Sequence, residues 1–158
     1  MKKNVPLTAE KALMRLKSLC ERSEYCTEEL RLKMYRWGLS GETVDKVLSV
    51  LVKEKFVDDR RFAAAYAHSK SMNSNWGRLK IQLMLRAKKI PKEYITEALE
   101  AIEEEDYEEN LKKVLDFKKR QLGDDASTYE GRTKIFRYAA SRGYESELIS
   151  RVMRSGTF

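Results

Sequence analysis

The chain repeats itself, and this constrains its fold more than any other property of its 158 residues. Sliding the sequence by 51 residues lays KIQLMLRAKKIPKEYITEALEAI over ELRLKMYRWGLSGETVDKVLSVL, and a further 54 reaches KIFRYAASRGYESELISRVM. Apolar positions then coincide: Leu30 with Ile81 and Ile135, Leu39 with Ile90 and Tyr144, Val44 with Ile95 and Ile149, Val47 with Ala98 and Val152, Leu48 with Leu99 and Met153. A unit of this length buries only a thin core by itself, so three copies are expected to pack against their neighbours along the chain.

Each copy reads as three helices. In the first, Leu13, Leu16 and Leu19 recur at helical spacing over about Thr8 to Arg22. Thr27, followed by Glu28 and Glu29, is expected to cap a second helix that stops at Gly38, and Ser40 to cap a third carrying Val44, Val47, Leu48 and Leu51. The second copy repeats the plan: Asp58 or Asp59 caps a helix with Phe62 and Tyr66 inward, Ser74 or Asn75 caps a basic helix, and Pro91 opens an acidic one. The third runs from Asp106 to about Gln121, through LGDDAS, then from about Thr128 to Arg142 with Gly143 as stop, and ends in a helix over Glu147 to Arg154. The expected architecture is all-α, three tandem three-helix repeats in an elongated array, divided as a tail at 1–8 and repeats at 9–57, 58–105 and 106–158.

Charge is distributed unevenly. The interval from Arg60 to Lys92 holds nine Lys or Arg and no Asp or Glu, whereas Glu93 to Glu109 holds nine carboxylates and no base. On a helical wheel Arg78, Gln82, Arg86 and Lys89 share one sector while Ile81, Leu85 and Lys88 share another. Two readings of this cationic stripe stand: a solvated face, or a surface for a polyanion or an acidic protein, with Asn75 and Trp76 beside it. Trp76 itself reads as the closure of a core edge or as a stacking residue, and the carboxylates at 93, 97, 100 and 104 as one helix face, solvated or turned to a partner.

Catalytic chemistry finds little support. His68 is the only histidine, Cys20 and Cys26 lack zinc-ribbon spacing and read as buried free thiols, and neither a phosphate loop nor a metalloprotease motif occurs. No enzyme, cofactor or metal is therefore expected. The opening MKKNVPLTAEKALMRL has no apolar run with a small-residue cleavage site, and no window approaches a membrane span, so a cytoplasmic, non-membrane monomer is expected.

The run Asp58-Asp59-x-x-Phe62-Ala63-x-x-Tyr66, with Lys70, Gly77, Leu85, Lys88 and Ile90, resembles the central repeat of the RecX family, the regulators of the RecA recombinase. Cys26-x-x-Glu29-Leu30 with Gly38 is similar to that family's first repeat, and Arg142-Gly143-Tyr144 with Ile149 to its third, so the likeness runs from about Ala9 to Met153. The chain departs from the pattern where Gly-Pro becomes Gly77-Arg78, where Lys-Gly-Ile becomes Lys88-Lys89-Ile90, and where a glutamate becomes Met84. The resemblance implies a protein that lies along the groove of the RecA filament and inhibits ATP hydrolysis, strand exchange and co-protease activity by blocking or destabilising filament growth; some members also bind DNA.

Joined to the charge pattern, it nominates Lys70, Arg78, Lys80, Arg86, Lys88 and Lys89 as the partner- or DNA-contacting strip of the second repeat, and Arg132, Lys134, Arg137 and Arg142 as that of the third. The competing class is a nucleic-acid-binding helical module that acts without RecA.

Overall fold

A computed structural model describes residues 7–156, so the tail expected at 1–8 lies outside the described residues except for Leu7 and Thr8. Those residues form nine α-helices in three triplets: α1 Ala9–Arg22, α2 Thr27–Arg36 and α3 Gly41–Lys53; α4 Asp59–Ser74, α5 Arg78–Ala87 and α6 Lys92–Glu100; α7 Glu104–Leu122, α8 Tyr129–Ser141 and α9 Ser146–Ser155. A short 3-10 turn, Gly123–Ser127, occupies the LGDDAS connection. Among the described residues there is no strand, and no helix is long and apolar enough to cross a membrane.

Four of the nine helix starts follow the side-chain oxygens that the sequence supplies. Thr8, Ser40, Asp58 and Thr128 each accept a hydrogen bond from the backbone amide three residues on. Two starts differ from expectation. Cys26, not Thr27, is the N-cap of α2, and the Glu29 carboxylate accepts from its amide at 3.0 Å. Thr27 is drawn elsewhere: its amide and hydroxyl both donate to Asp59 Oδ1, at 2.8 and 3.0 Å, and tie α2 to the first turn of α4. Ser74 and Asn75 do not cap α5 either. They end α4, Asn75 in the left-handed conformation, and the N-cap of α5 is Gly77, which has no side chain to offer.

The repeat alignment predicts burial well. Leu30, Ile81 and Ile135 are buried, as are Leu39, Ile90 and Tyr144, then Val44, Ile95 and Ile149, and then Val47, Ala98 and Val152. In the last set Leu48 is buried, while Leu99 and Met153 are only half-buried. These side chains build two cores, not three. One fills the first triplet around Leu16, Leu30, Met34, Val44 and Leu51; the other runs without interruption through the second and third triplets, from Phe62 to Val152.

The two joints between triplets are therefore of different kinds. Between the second and third, Gly77 N–H donates to Arg142 O at 2.8 Å and Leu79 N–H to Gly143 O at 2.9 Å, while Tyr107 Oη accepts from Arg78 N–H at 2.9 Å. The third triplet thus contributes acceptors for the amides that α5, lacking a side-chain cap, leaves open. It also closes the end of α4: Asn110 donates to Ser71 O at 3.0 Å, Arg142 to Ser74 O at 2.6 Å and the Tyr144 hydroxyl to Asn75 O at 3.0 Å. Between the first and second triplets the contacts are polar, with Glu24 on Arg61 at 2.8 Å beside the Thr27–Asp59 pair, and Cys26 alone of the first triplet enters the larger core.

That burial pushes the Cys26 thiol from its ordinary 9.0 up to about 12. Desolvation also raises the Tyr107 and Tyr144 phenols. In the unfolded chain these groups ionise at lower pH than in the folded one, so the stability they hold below pH 9 is lost as pH rises toward 12. The urea midpoint is expected to fall between pH 8 and pH 10, and Cys26→Ala is expected to remove part of that fall. A midpoint independent of pH over this range would contradict the burial of Cys26.

Candidate partner-binding face

The two joints set the second helices of the triplets end to end. The C-terminal end of α8 meets the start of α5 through the Gly77, Arg142 and Gly143 backbone bonds. The C-terminal end of α5 meets the start of α2, where Lys88 reaches Glu29 at 3.4 Å and Lys89 reaches Glu28 at 3.5 Å. Each contact brings the negative end of one helix dipole to the positive end of the next. At 1.5 Å per residue the three helices together span roughly 50 Å of chain.

The three helices expose corresponding registers in part. On α5, Leu79, Leu83 and Arg86 are exposed and lie within about 60° of one another, opposite buried Ile81 and Leu85. The equivalent positions of α2 are half-buried Glu28 with exposed Leu32 and Tyr35, and those of α8 half-buried Thr133 with exposed Arg137 and Ala140. The surface is thus apolar as well as cationic. The charge pattern pointed only to its cations; the leucines were present as an i, i+4 pair, Leu79 and Leu83, out of phase with the buried pair Ile81 and Leu85.

The nominated cations do not form a single strip. Arg78 folds inward: its guanidinium lies 4.0 Å from the centre of the Tyr107 ring, 2.7 Å from Glu104 and 3.3 Å from Ile102 O. Arg142 is half-buried against Ser74, and Lys88 reaches from Glu29 toward the rings of Phe62 and Tyr66. Lys89 is not on the α5 stripe at all, because α5 ends at Ala87 and Lys89 turns the chain at φ 56°. Lys70 and Lys80 both lie on Trp76, at 4.7 and 4.4 Å from the ring centre, and Trp76 packs edge-on against Tyr66. Arg86, Arg132, Lys134 and Arg137 are exposed, with Lys134 about 160° around α8 from Arg132.

Nor is the acidic run one helix face. Glu93, Glu97 and Glu100 lie on α6, whereas Glu104 opens α7 after a break at Ala101. Glu97 grips Arg60 through two bonds of 2.7 and 2.8 Å, which hold its carboxyl below the usual range, and Glu104 holds Arg78. These partners separate the nominated arginines experimentally. Arg86→Glu is expected to leave stability within about 0.5 kcal/mol of the parent, and Arg78→Glu to lower it by about 2 kcal/mol or more. Urea denaturation of the two variants measures both; equal losses would refute the inward placement of Arg78. No group of three or more His, Cys, Asp or Glu among the described residues is placed to hold a metal ion.

Comparison with known proteins identifies the second and third triplets. Residues 58–99 match the family model described as the second three-helix domain of RecX, and residues 104–153 the one described as its third. A Regulatory protein RecX of Haemophilus influenzae is 33% identical over 135 residues, covering 82% of this chain and 84% of its own length. The chain belongs to the RecX family. The matched relatives are named as regulatory proteins. The RecX of Clostridium botulinum strain Alaska E43 is 28% identical over 139 residues, and the chain spans 63% of that relative's length. Two crystal structures of RecX proteins share the fold: that from Lactobacillus salivarius with a TM-score of 0.81 at 16% identity, over 93% of this chain and 95% of the other, and a second with 0.84 at 20%, over 92% and 71%.

Proposed function

We propose that this RecX-family chain binds the RecA–DNA nucleoprotein filament and lowers recombinase activity by blocking or destabilising filament growth, without catalysing a reaction of its own. The supporting observation is the end-to-end succession of α2, α5 and α8, whose outer sides carry exposed apolar and cationic side chains: Leu32 and Tyr35 on α2, Leu79, Leu83 and Arg86 on α5, and Arg137 on α8. A closed pocket suits a small molecule, and a long repeated face suits a repeating polymer. Arg86, Arg132, Lys134 and Arg137, with Lys70 and Lys80, are the proposed contacts, and Arg78, Arg142, Lys88 and Lys89 hold the repeats together. The division into repeats at 58 and 106 and the cytoplasmic location belong to the same reading.

The Lys70–Trp76–Lys80 cluster favours a second reading, direct binding of nucleic acid. Among the described residues neither lysine has a carboxylate partner, and two ammonium groups flanking an indole suit a phosphate beside a base. Salt separates the two readings. Binding through four to six phosphates alone should weaken with a log-log slope of roughly −4 to −5. Co-sedimentation with RecA filaments on single-stranded DNA is expected to show a far shallower slope, because buried leucines carry part of the affinity. If the slope for filaments equals that for naked DNA, the direct reading replaces the filament reading.

A further inference from the structure

The third triplet holds a groove that the outward face does not explain. It lies between α8 and α9, has a volume of about 710 Å³, and is lined by Tyr129, Phe136 and Met153 together with Arg132, Arg137 and Arg154. Phe136 and Met153 are half-buried against the core and form an apolar floor, while Tyr129 stands 87% exposed at the rim. The three guanidinium groups are exposed, and none has an ion-pair partner among the described residues. No carboxylate lines the groove itself; Arg154 also borders the adjoining hollow that holds Glu145 and Glu147, and Arg132 the one that holds Asp124.

An apolar floor rimmed by unpaired arginines selects its occupant by charge and shape together. Guanidinium forks match carboxylates, and a floor made of one ring and one thioether accepts a bulky apolar side chain. Single-stranded nucleic acid fits less well, because stacking platforms present successive flat rings and here only Tyr129 is fully open. We infer that this groove is a docking site for an acidic linear peptide segment of a partner protein, one that inserts a single aromatic or large aliphatic residue between Phe136 and Met153 and pairs flanking Asp or Glu with Arg132, Arg137 and Arg154. The inference deepens the reading of Arg132 and Arg137 as contacts, but it does not require the partner to be RecA.

The test uses the full chain and no recombinase. A displayed library of random linear peptides is selected on the native protein, and the enriched peptides are remade with a fluorescent label for anisotropy. The expected result is enrichment of Asp and Glu on both sides of one Phe, Trp, Leu or Met. Affinity should fall by about tenfold or more in the Arg132→Glu, Arg137→Glu double variant and by a few-fold in Tyr129→Ala. Circular dichroism melting checks that both variants remain folded. Enriched peptides without acidic bias, or an affinity indifferent to the double reversal, would overturn the assignment. So would an oligo-dT probe that binds in place of any peptide and is lost on the same reversal. Because RecA takes no part, failure here leaves filament inhibition standing, and failure of filament inhibition leaves the groove standing.

Discussion

Gly143→Ala is expected to cost the chain about 3 kcal/mol or more of stability. Two penalties meet at this position. Its φ of 100° lies in the region that side chains with a Cβ rarely adopt, and a Cβ there would strike the Cβ and backbone nitrogen of Lys80. Gly77→Ala should lose a comparable amount from the opposite side, because its Cβ would enter the Gly143 and Tyr144 backbone. No flexible side-chain end can yield in either case, so the acceptors that the third triplet offers to α5 must separate. Urea unfolding measures both losses.

The repeat supplies the control. Gly38 and Lys89 are the equivalents of Gly143 in the first two triplets, and all three have positive φ, at 83°, 56° and 100°. Nothing lies within 4 Å of a Cβ built at Gly38, so Gly38→Ala should cost only about 1 kcal/mol, the backbone penalty alone. Lys89 already bears that penalty, and Lys89→Gly should return about the same amount, less the Glu28 contact. Equal losses at Gly38 and Gly143 would mean that the joint between the second and third triplets is not rigid.

The second large effect concerns binding. Reversing Arg86, Arg132 and Arg137 together to glutamate should weaken association with RecA filaments by at least about tenfold, read by co-sedimentation, without lowering the melting temperature. Lys53→Glu, an exposed reversal at the end of α3, should change neither. Retained filament binding in the triple variant would remove these arginines from the interface and leave the leucines of α5 as the contact to test.

The fold was legible in the sequence because a repeated apolar pattern reports burial directly. Leu30, Ile81 and Ile135 occupy one structural position in three settings, and an alignment of the chain with itself finds them. The site was less legible because charge is local in sequence and not in space. Five of the nine bases between Arg60 and Lys92 are answered by carboxylates outside that interval: Arg60 by Glu97, Arg61 by Glu24, Arg78 by Glu104, Lys88 by Glu29 and Lys89 by Glu28. The carboxylate-free interval that suggested a binding stripe is therefore in large part the place where helices from neighbouring triplets dock. A lone Tyr107 hydroxyl standing in for an N-cap has no local signature; only the missing cap at Gly77 hints that some other element must supply the acceptor.

Inhibition of filament activity is read most directly from the ATPase activity of RecA on single-stranded DNA as the chain is titrated in. A progressive fall in rate is expected at chain concentrations below that of RecA, because one bound chain affects growth of many protomers. The fall should be shifted to higher concentration by the Arg86, Arg132 and Arg137 reversals. An unchanged rate at saturating chain, with the protein folded and the filament assembled, would contradict it.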